Sequence, residues 1–370
     1  MTSQVFPVEA PLVSASEQDA LLAAHRHASW RFELLDSQSR VIGPLAGVGD
    51  ASVSWNVNAT VRSGGSLEYL GPPIDWESRR VRVHYGIEAL GVSLEWPLGT
   101  FIVAAPDEEE GTTHGADPIN LDLFDMMHRV DVIRSTAAPW VARAGLSPVD
   151  VARELLDRQG IPHSFEDTDQ TLRSDMTWPP GTKYLTILND LMEAAGMFAV
   201  WADPMGVIRS VQYRPPVSRG ARYVLEDRAG ALQMGPRYKH SRDTYSVPNR
   251  VVLVAGGEDP DVPALVGTAS DVSGPYGTAA RGYVISHLET DVSATSQAAI
   301  DSMAARRLDE VQRVSSLLED VQILPVPLDP NDVLQFTHQI SGRDMLTVTE
   351  KIDMRRNRAY AALTIREVRR

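Results

Sequence analysis

The stretch from Met176 to Pro216 constrains this chain most, because it reads as one helix feeding one hairpin. Thr182 stands where a hydroxyl accepts a hydrogen bond from a first-turn amide. Leu185, Leu188, Met192 and Ala195 recur at helical spacing, and Leu191 widens their stripe. Gly196 follows the last periodic residue, where the chain needs a left-handed turn and a Cβ is a penalty. The sequence then becomes strand-like through Phe198, Ala199, Val200 and Trp201. Asp203-Pro204-Met205-Gly206 is a turn, and Val207, Ile208, Val211 and Tyr213 form the return strand. Pro215-Pro216 ends it, since proline cannot donate to a ladder. Nothing in the unit carries chemistry: it is a packing unit.

On either side the pattern is β. Trp30, Phe32 and Leu34 alternate with polar residues, and Val53, Trp55, Val57, Ala59 and Val61 repeat the alternation more clearly. Further strands are expected at 66–70, 81–87 and 94–103, punctuated by Gly64-Gly65 and Pro72-Pro73. This is an antiparallel all-β region, a barrel or a sandwich, ending near the acidic run Asp107–Glu110. Ser147-Pro148-Val149-Asp150 starts a helix with a cap, a proline at the first helical position and an acid at the third. Val151, Ala152, Leu155 and Leu156 form its buried face, and Gly160 closes it. A short helix is expected over 16–24. From Arg222 the chain is β again, with its clearest strand at Val247–Val254. The longest helix starts at Ser293 or Ser296 and carries Ile300, Met303, Ala304, Leu308 and Val311 as its stripe. Closing strands are expected at 321–326, 332–340, 345–352 and 360–368, with turns at Asp329-Pro330-Asn331 and Ser341-Gly342.

A chain of 370 residues allows two to three domains at about 150 residues each. The formal net charge of −14 opposes tight binding of a phosphate backbone, which needs a basic face. The absence of cysteine excludes disulfides, thiolate metal sites and cysteine nucleophiles. The N-terminal stretch lacks a basic start followed by an apolar core, so no signal peptide is expected. No run of about 18 apolar residues is present, and no membrane span is expected.

The motifs that carry chemistry elsewhere fail here on physical grounds. Pro179-Pro180-Gly181-Thr182-Lys183 lacks the earlier glycine and the Gly-Lys-Ser/Thr order that wrap phosphates and magnesium, and reads as a turn before a helix. Asp107-Glu108-Glu109-Glu110 with His114 is contiguous, whereas calcium loops space their ligands alternately around a glycine. Glu166-Asp167-Thr168-Asp169 alternates better but lacks a distant bidentate partner. The nine histidines form no His-Glu-x-x-His, no nucleophile elbow is present, and His25 with His27 supplies two ligands at most. No catalytic residue, cofactor-binding residue or metal ligand is assigned, and no cofactor is expected. Two arginine clusters, Arg79, Arg80, Arg82 and Arg355, Arg356, Arg358, admit two readings: subunit or partner contacts, or solvated strand ends.

The order of these elements resembles the tail hub proteins of long-tailed phages, also called minor tail proteins, which are similar to the central baseplate hub of contractile tails. The resemblance is carried by Ala51–Val61 with Ile74-Asp75-Trp76, by Glu95-Trp96-Pro97-Leu98-Gly99-Thr100-Phe101, by Trp178–Gly206 and by Val247-Pro248-Asn249-Arg250-Val251-Val252. It implies a mainly β chain with α+β insertions: two tail-tube-like antiparallel β-barrels, 20–116 and 219–262 with 318–370, around an inserted α/β region, 117–218 with 263–317. It further implies a homotrimer in which two barrels per chain mimic a six-subunit ring. Such a hub sits at the tail tip of a virion assembled in the host cytoplasm. Its partners are a distal tail or tail tube protein, a tape measure protein and other tail-tip or fibre proteins. DNA passes it without specific binding. Many relatives carry a C-terminal extension with fibre or hydrolase parts; with the chain ending at Arg370, neither part is expected. Two other functions stand beside this one. A sugar-binding adhesin would stack exposed tryptophans on its ligand, and a cell-wall hydrolase would need two carboxylates.

Overall fold

In the computed structural model, the described residues are 25–368 apart from 90, 105–117, 136–137, 173–174, 215, 227–231, 236, 243–244, 256–263, 275, 291, 293–296, 313–315 and 340. The helix expected over 16–24 and the acidic run with His114 lie outside them. The chain divides into two compact units, Met1–Tyr238 with Glu319–Val368, and Lys239–Leu318. The protein is mainly β with α+β insertions, as the sequence indicates.

In the first unit, strands β1 (His27–Leu35), β2 (Val41–Pro44), β3 (Val48–Asn56), β4 (Ser63–Tyr69), β5 (Arg80–Ala89), β6 (Val92–Val103) and β7 (Ile119–Asp125) pair in the order β2-β1-β5-β6-β7-β4-β3. All these pairings are antiparallel. The alternation read from sequence is the alternation of burial: Ala51 and Val53, Leu67 and Tyr69, Leu121 and Leu123 all face the core. Strand β7 falls after the expected barrel boundary at 116, yet it lies between β4 and β6, because Leu121, Leu123 and Asp125 point inward with their neighbours.

The helical part follows. Helix α1 (Met127–Val132), strand β8 (Trp140–Ala142), helix α2 (Pro148–Asp157), strands β9 (His163–Phe165) and β10 (Met176–Trp178), helix α3 (Tyr184–Ala194) and the hairpin β11 (Trp201–Ala202) and β12 (Ile208–Ser210) share one core. Ser147 caps α2 by accepting from the Asp150 amide at 3.3 Å, with Pro148 in the first turn. Along α3, Leu185, Leu188, Leu191, Met192 and Ala195 are all buried, and Gly196 takes φ +68°. Thr182 does not cap α3. Its hydroxyl donates to the Pro179 carbonyl at 2.7 Å, while the Tyr184 amide donates to Ile133 across the fold. The neighbouring chain satisfies the first-turn donor, so no side-chain cap is required. One pairing is new: β12 runs parallel to β9, an antiparallel β11 lying on its other edge.

The chain then returns to the large sheet through β13 (Tyr223–Glu226) and β14 (Leu232–Gln233), and later through β19 (Ser316–Ile323), β20 (Val333–His338), β21 (Arg343–Arg355) and β22 (Ala361–Glu367). Strand β21 is long enough to hold two partners along one edge. Arg343–Val348 pairs with β20, and Lys351–Arg355 pairs with β3, while β22 lines the opposite edge over Thr347–Asp353. The two β regions are therefore one continuous sheet. At the changeover, Thr349 donates to Asp332 and accepts from Asn331, and the Glu350 carbonyl accepts from Val57. Not every pairing is antiparallel, since β13 runs parallel to both β20 and β14.

The second unit holds β15 (Lys239–Arg242), β16 (Arg250–Ala255), β17 (Leu265–Ser270), helix α4 (Thr278–Arg281), β18 (Ser286–Glu289) and helix α5 (Gln297–Gln312). Strand β16, which the sequence placed in a second barrel, pairs with β17 and β18, and its buried face of Val251, Leu253 and Ala255 receives Ile300 and Ala304 of α5. The helix comes so close that a Cβ on Gly267 would meet the Ile300 carbonyl oxygen at 2.5 Å. Asn249 is fully buried and satisfied. Its amide donates to the Tyr276 and Tyr283 carbonyls at 3.1 and 2.9 Å, and its Oδ1 accepts from the Ile285 amide at 2.8 Å.

Trp201 is 7% exposed and packs with Phe198 and Val211 on the hairpin. Trp201→Ala is expected to cost about 3–5 kcal/mol, the usual loss for a buried aromatic. A denaturant midpoint equal to that of the wild type would refute the buried placement.

Candidate functional site

Three turns meet in the first unit. The turn Asp203–Gly206 closes the β11–β12 hairpin. Asp203 Oδ1 accepts from the Met205 and Val207 amides at 3.0 and 2.9 Å, and its Oδ2 accepts from Arg209 Nε at 2.7 Å. Gly206 has φ +85°, and a Cβ there would stand 2.9 Å from Met126 Cγ, so glycine is required on both counts. The turn lies on β6: Thr100 donates to the Pro204 carbonyl at 2.9 Å and accepts from Arg82 Nε at 2.9 Å. Arg82 also reaches the Met205 carbonyl at 3.4 Å. It is buried, so neither reading of its cluster describes it: Arg82 is an internal strut. In the other cluster, Arg356 is exposed, donates to the Val48 and Gly49 carbonyls and lies over the Phe32 ring.

The second turn, Asp329–Asp332, is held from the segment that enters β13. Arg222 contacts Asp332 at 2.6 Å and Asp329 at 3.3 Å, and Arg219 donates to the Asn331 carbonyl at 3.0 Å. Asn331 has φ +72°, a conformation asparagine tolerates better than most residues. The Asp329 amide donates to Asp332 Oδ2 at 2.9 Å. Burial raises both carboxyls. For Asp329 the negative Asp332 and Asp203 add to the rise and push it up to about 8, against the pull of Arg222. For Asp332 the Arg222 guanidinium and the Asp329 amide oppose the rise. The pair with Arg222 is thus one charged carboxylate on a guanidinium beside one carboxyl that holds its proton.

The third element is the β3–β4 turn. Behind it, Asp125 accepts from the Ser63 amide at 2.7 Å, the Ser63 hydroxyl at 3.1 Å and the Met127 amide at 2.8 Å. Burial nevertheless pushes its carboxyl up to about 6. Between the three turns lies a cleft lined by Trp55, Val57, Arg62, Asp125, Trp201, Pro204 and Asp329, among others, with about 540 Å³ of empty space that includes open solvent.

The other sequence-level candidates have structural tasks. Pro179–Lys183 is a turn with Gly181 at φ +82°, and Lys183 pairs with Asp131 at 2.7 Å. Glu166 accepts from the Gln212 amide and Arg214, and Asp167 from Arg153. Among the described residues, no group of three His, Asp or Glu side chains is placed to hold a metal ion. None of the seven tryptophans is exposed: Trp76, Trp96, Trp178 and Trp201 are buried, and Trp30, Trp55 and Trp140 are half-buried. Sequence reasoning missed the Arg219–Arg222–Asp329–Asp332 cluster. In the sequence Asp329 reads as part of a turn, and nothing in the spacing joins it to an arginine more than a hundred residues earlier.

A carboxyl raised by the fold keeps a proton that the unfolded chain has released between roughly pH 4 and 8. The unfolded state binds fewer protons in that window, so the Asp329 contribution to stability falls as pH rises and levels off above it. Asp329→Asn stays neutral and removes this dependence. Relative to wild type, the variant should gain at least about 1 kcal/mol between pH 5 and pH 9. Parallel denaturation profiles for the two proteins across that range would contradict the assignment.

No known family's sequence profile matches the chain, and no curated protein sequence matches it. Solved structures do. The tail protein from Neisseria meningitidis MC58 superposes with a TM-score of 0.64 at 13% identity, over 92% of this chain and 97% of that one. The 43 kDa tail protein of prophage MuSo2 from Shewanella oneidensis gives 0.61 at 12% identity, over 92% and 98%. The prophage tail protein gp18 from Listeria monocytogenes EGD-e gives 0.52 at 11% identity, over 91% and 94%. At these identities the likeness is one of fold, and it spans almost the whole of each chain: this protein has the fold of phage and prophage tail proteins, as its resemblance to the tail hub proteins implies.

Proposed function

We propose that the chain is a non-enzymatic structural hub at the tip of a phage tail. It forms a homotrimeric ring that joins the tail tube or a distal tail ring to further tip proteins, in a virion assembled in the host cytoplasm. The observation that carries this reading is the likeness to tail proteins over 92% of the chain. Its support within the molecule is β21, which binds β3 of one β region and β20 of the other along a single edge. Two β regions fixed in this way would let three chains present six similar barrel-like modules around the inserted α/β region, with β7 counted to the first and β16 outside the second. The partners on this reading are a distal tail or tail tube protein, a tape measure protein and other tip or fibre proteins. Among the described residues, no helix is long and apolar enough to cross a membrane. The adhesin reading finds no support in the tryptophans, since stacking on a sugar needs an exposed ring face.

An obligate interface in such a ring commonly buries about 2,000 Å² or more. Three-fold symmetry at the tail tip, seen by electron cryo-microscopy of the virion, is the expected result. One, two or six copies in the virion would exclude the hub. DNA leaving the particle would pass this ring, and a lumen that bound phosphates would retain it. The net charge of −14 supplies acids in excess, so the lumen should carry more Asp and Glu than Lys and Arg. The purified protein should accordingly leave duplex DNA unbound at low salt. Tight binding that weakens steeply as salt rises would contradict this charge argument.

A further inference from the structure

The three-stranded sheet of the second unit is covered by its helix on one face only. Val251, Leu253 and Ala255 of β16 point toward α5, and Ile300 and Ala304 pack on them. Val252 and Val254 alternate with these residues and point the other way. The register extends that second face. Val254 stands beside Val266 of β17, and Val252 stands between Thr268 of β17 and Leu288 of β18. Val266 is 47% exposed and Leu288 62%, with Val252 and Val254 half-buried between them. Of the residues of β16, β17 and β18 on this face, Arg250 alone is charged. Its Nε donates to the Ser270 hydroxyl at 3.2 Å, and no described carboxylate lies within 4 Å of it.

The sequence of β16 says that such a face is not meant for water. Residues 251–255 are an unbroken apolar run, and β16 is the central strand. A strand with one wet face alternates apolar with polar residues, whereas an unbroken run belongs to a strand covered on both faces. The pairing agrees: β16 runs parallel to β18 and carries the antiparallel β17 on its other edge. Sheets built around parallel pairs are layered by helices on both faces, and here α5 supplies one layer. The bare face also has a helix's footprint. Three strands about 4.8 Å apart make it roughly 14 Å wide, and six residues make it roughly 20 Å long. A helix of about 14 residues is as long and about 10–12 Å across.

We propose that an amphipathic helix of a partner protein packs on this face, its aliphatic stripe on Val252, Val254, Val266 and Leu288 and a carboxylate on Arg250. The charge selects that carboxylate, since a basic residue at the same place would add a like charge to an arginine that has no acid of its own. The helix completes a helix–sheet–helix sandwich of which this chain holds two layers. The inference rests on the chain's place in a phage tail but not on the copy number of the ring.

The test places the photo-crosslinker p-benzoylphenylalanine at position 266 or position 288 of the full chain, in assembled virions, and maps the crosslinked residues by mass spectrometry. Both positions should crosslink to one segment of another tail protein, at residues three, four or seven apart. Leu288→Glu should lower the crosslink from position 266 at least tenfold, and Arg250→Glu should lower it less. Equal denaturant midpoints for wild type and Leu288→Glu verify that the loss is one of docking. Crosslinks to a second copy or to the same chain would overturn the proposal, as would contacts two residues apart, which a strand would give. No crosslink from either position would overturn it too. A virion that lacks the chain altogether would instead overturn the tail role itself.

Discussion

The structure of the first unit depends on the length of one strand. With 13 residues, β21 outlasts β20 and continues into a second pairing with β3 along the same edge. A shorter strand would leave two separate sheets. The register shift between Thr349 and Lys351 lies where one partner gives way to the other. There the Thr349 amide and carbonyl and the Glu350 carbonyl are taken up by Asp332, Asn331 and Val57. The turn Asp329–Asp332 is placed by this seam, and the buried ionic cluster follows from it.

Three buried carboxylates each organise a turn or the start of an element in this protein. Asp203 organises the hairpin turn, Asp125 the start of β4 and of α1, and Asp332 the turn before β20. Each carboxylate accepts backbone amides that the turn would otherwise leave unpaired, which is the use that best offsets its desolvation. Asp329 is the exception. It sits between two other acids and Arg222, and keeps its proton. Such a raised carboxyl often marks an active site. Here its neighbours are Arg222, Asp332 and a backbone turn, an ion network that fixes geometry.

The hairpin tip illustrates how an insertion is anchored. Its helical core is self-contained, with α1, α2 and α3 closing on one another. Its tip leaves that core and docks on β6 through Thr100 and Arg82. Arg82 sits in a longer row across β1, β5 and β6, where Arg31 pairs with Glu33 and Glu95, and His84 bonds to Glu33 at 3.1 Å. Burial lowers the His84 pKa, so the ring is neutral and serves as a hydrogen-bond link at physiological pH. A charged row of this kind helps to fix strand register.

Local structure was written in the sequence. The period-two runs gave β3 and β4, the Ser147-Pro148 start gave α2, the stripe of Leu185, Leu188 and Met192 gave α3, and Gly196 and Gly206 gave the two breaks around the hairpin. These follow from contacts within a few residues, so a linear pattern records them. Burial of Trp76, Trp96 and Trp178, the role of Arg82 and the cluster around Asp329 were not legible, because each depends on residues distant along the chain, whereas the burial of Trp201 follows from its own hairpin. The same holds for Thr182, whose capping task was taken over by Ile133, and for β16, whose partners are β17 and β18. Sequence determined which segments are strands and helices and which face of each is apolar. Only the tertiary structure decided which edges meet, because a strand edge offers identical backbone donors and acceptors to every partner, and packing elsewhere makes the choice.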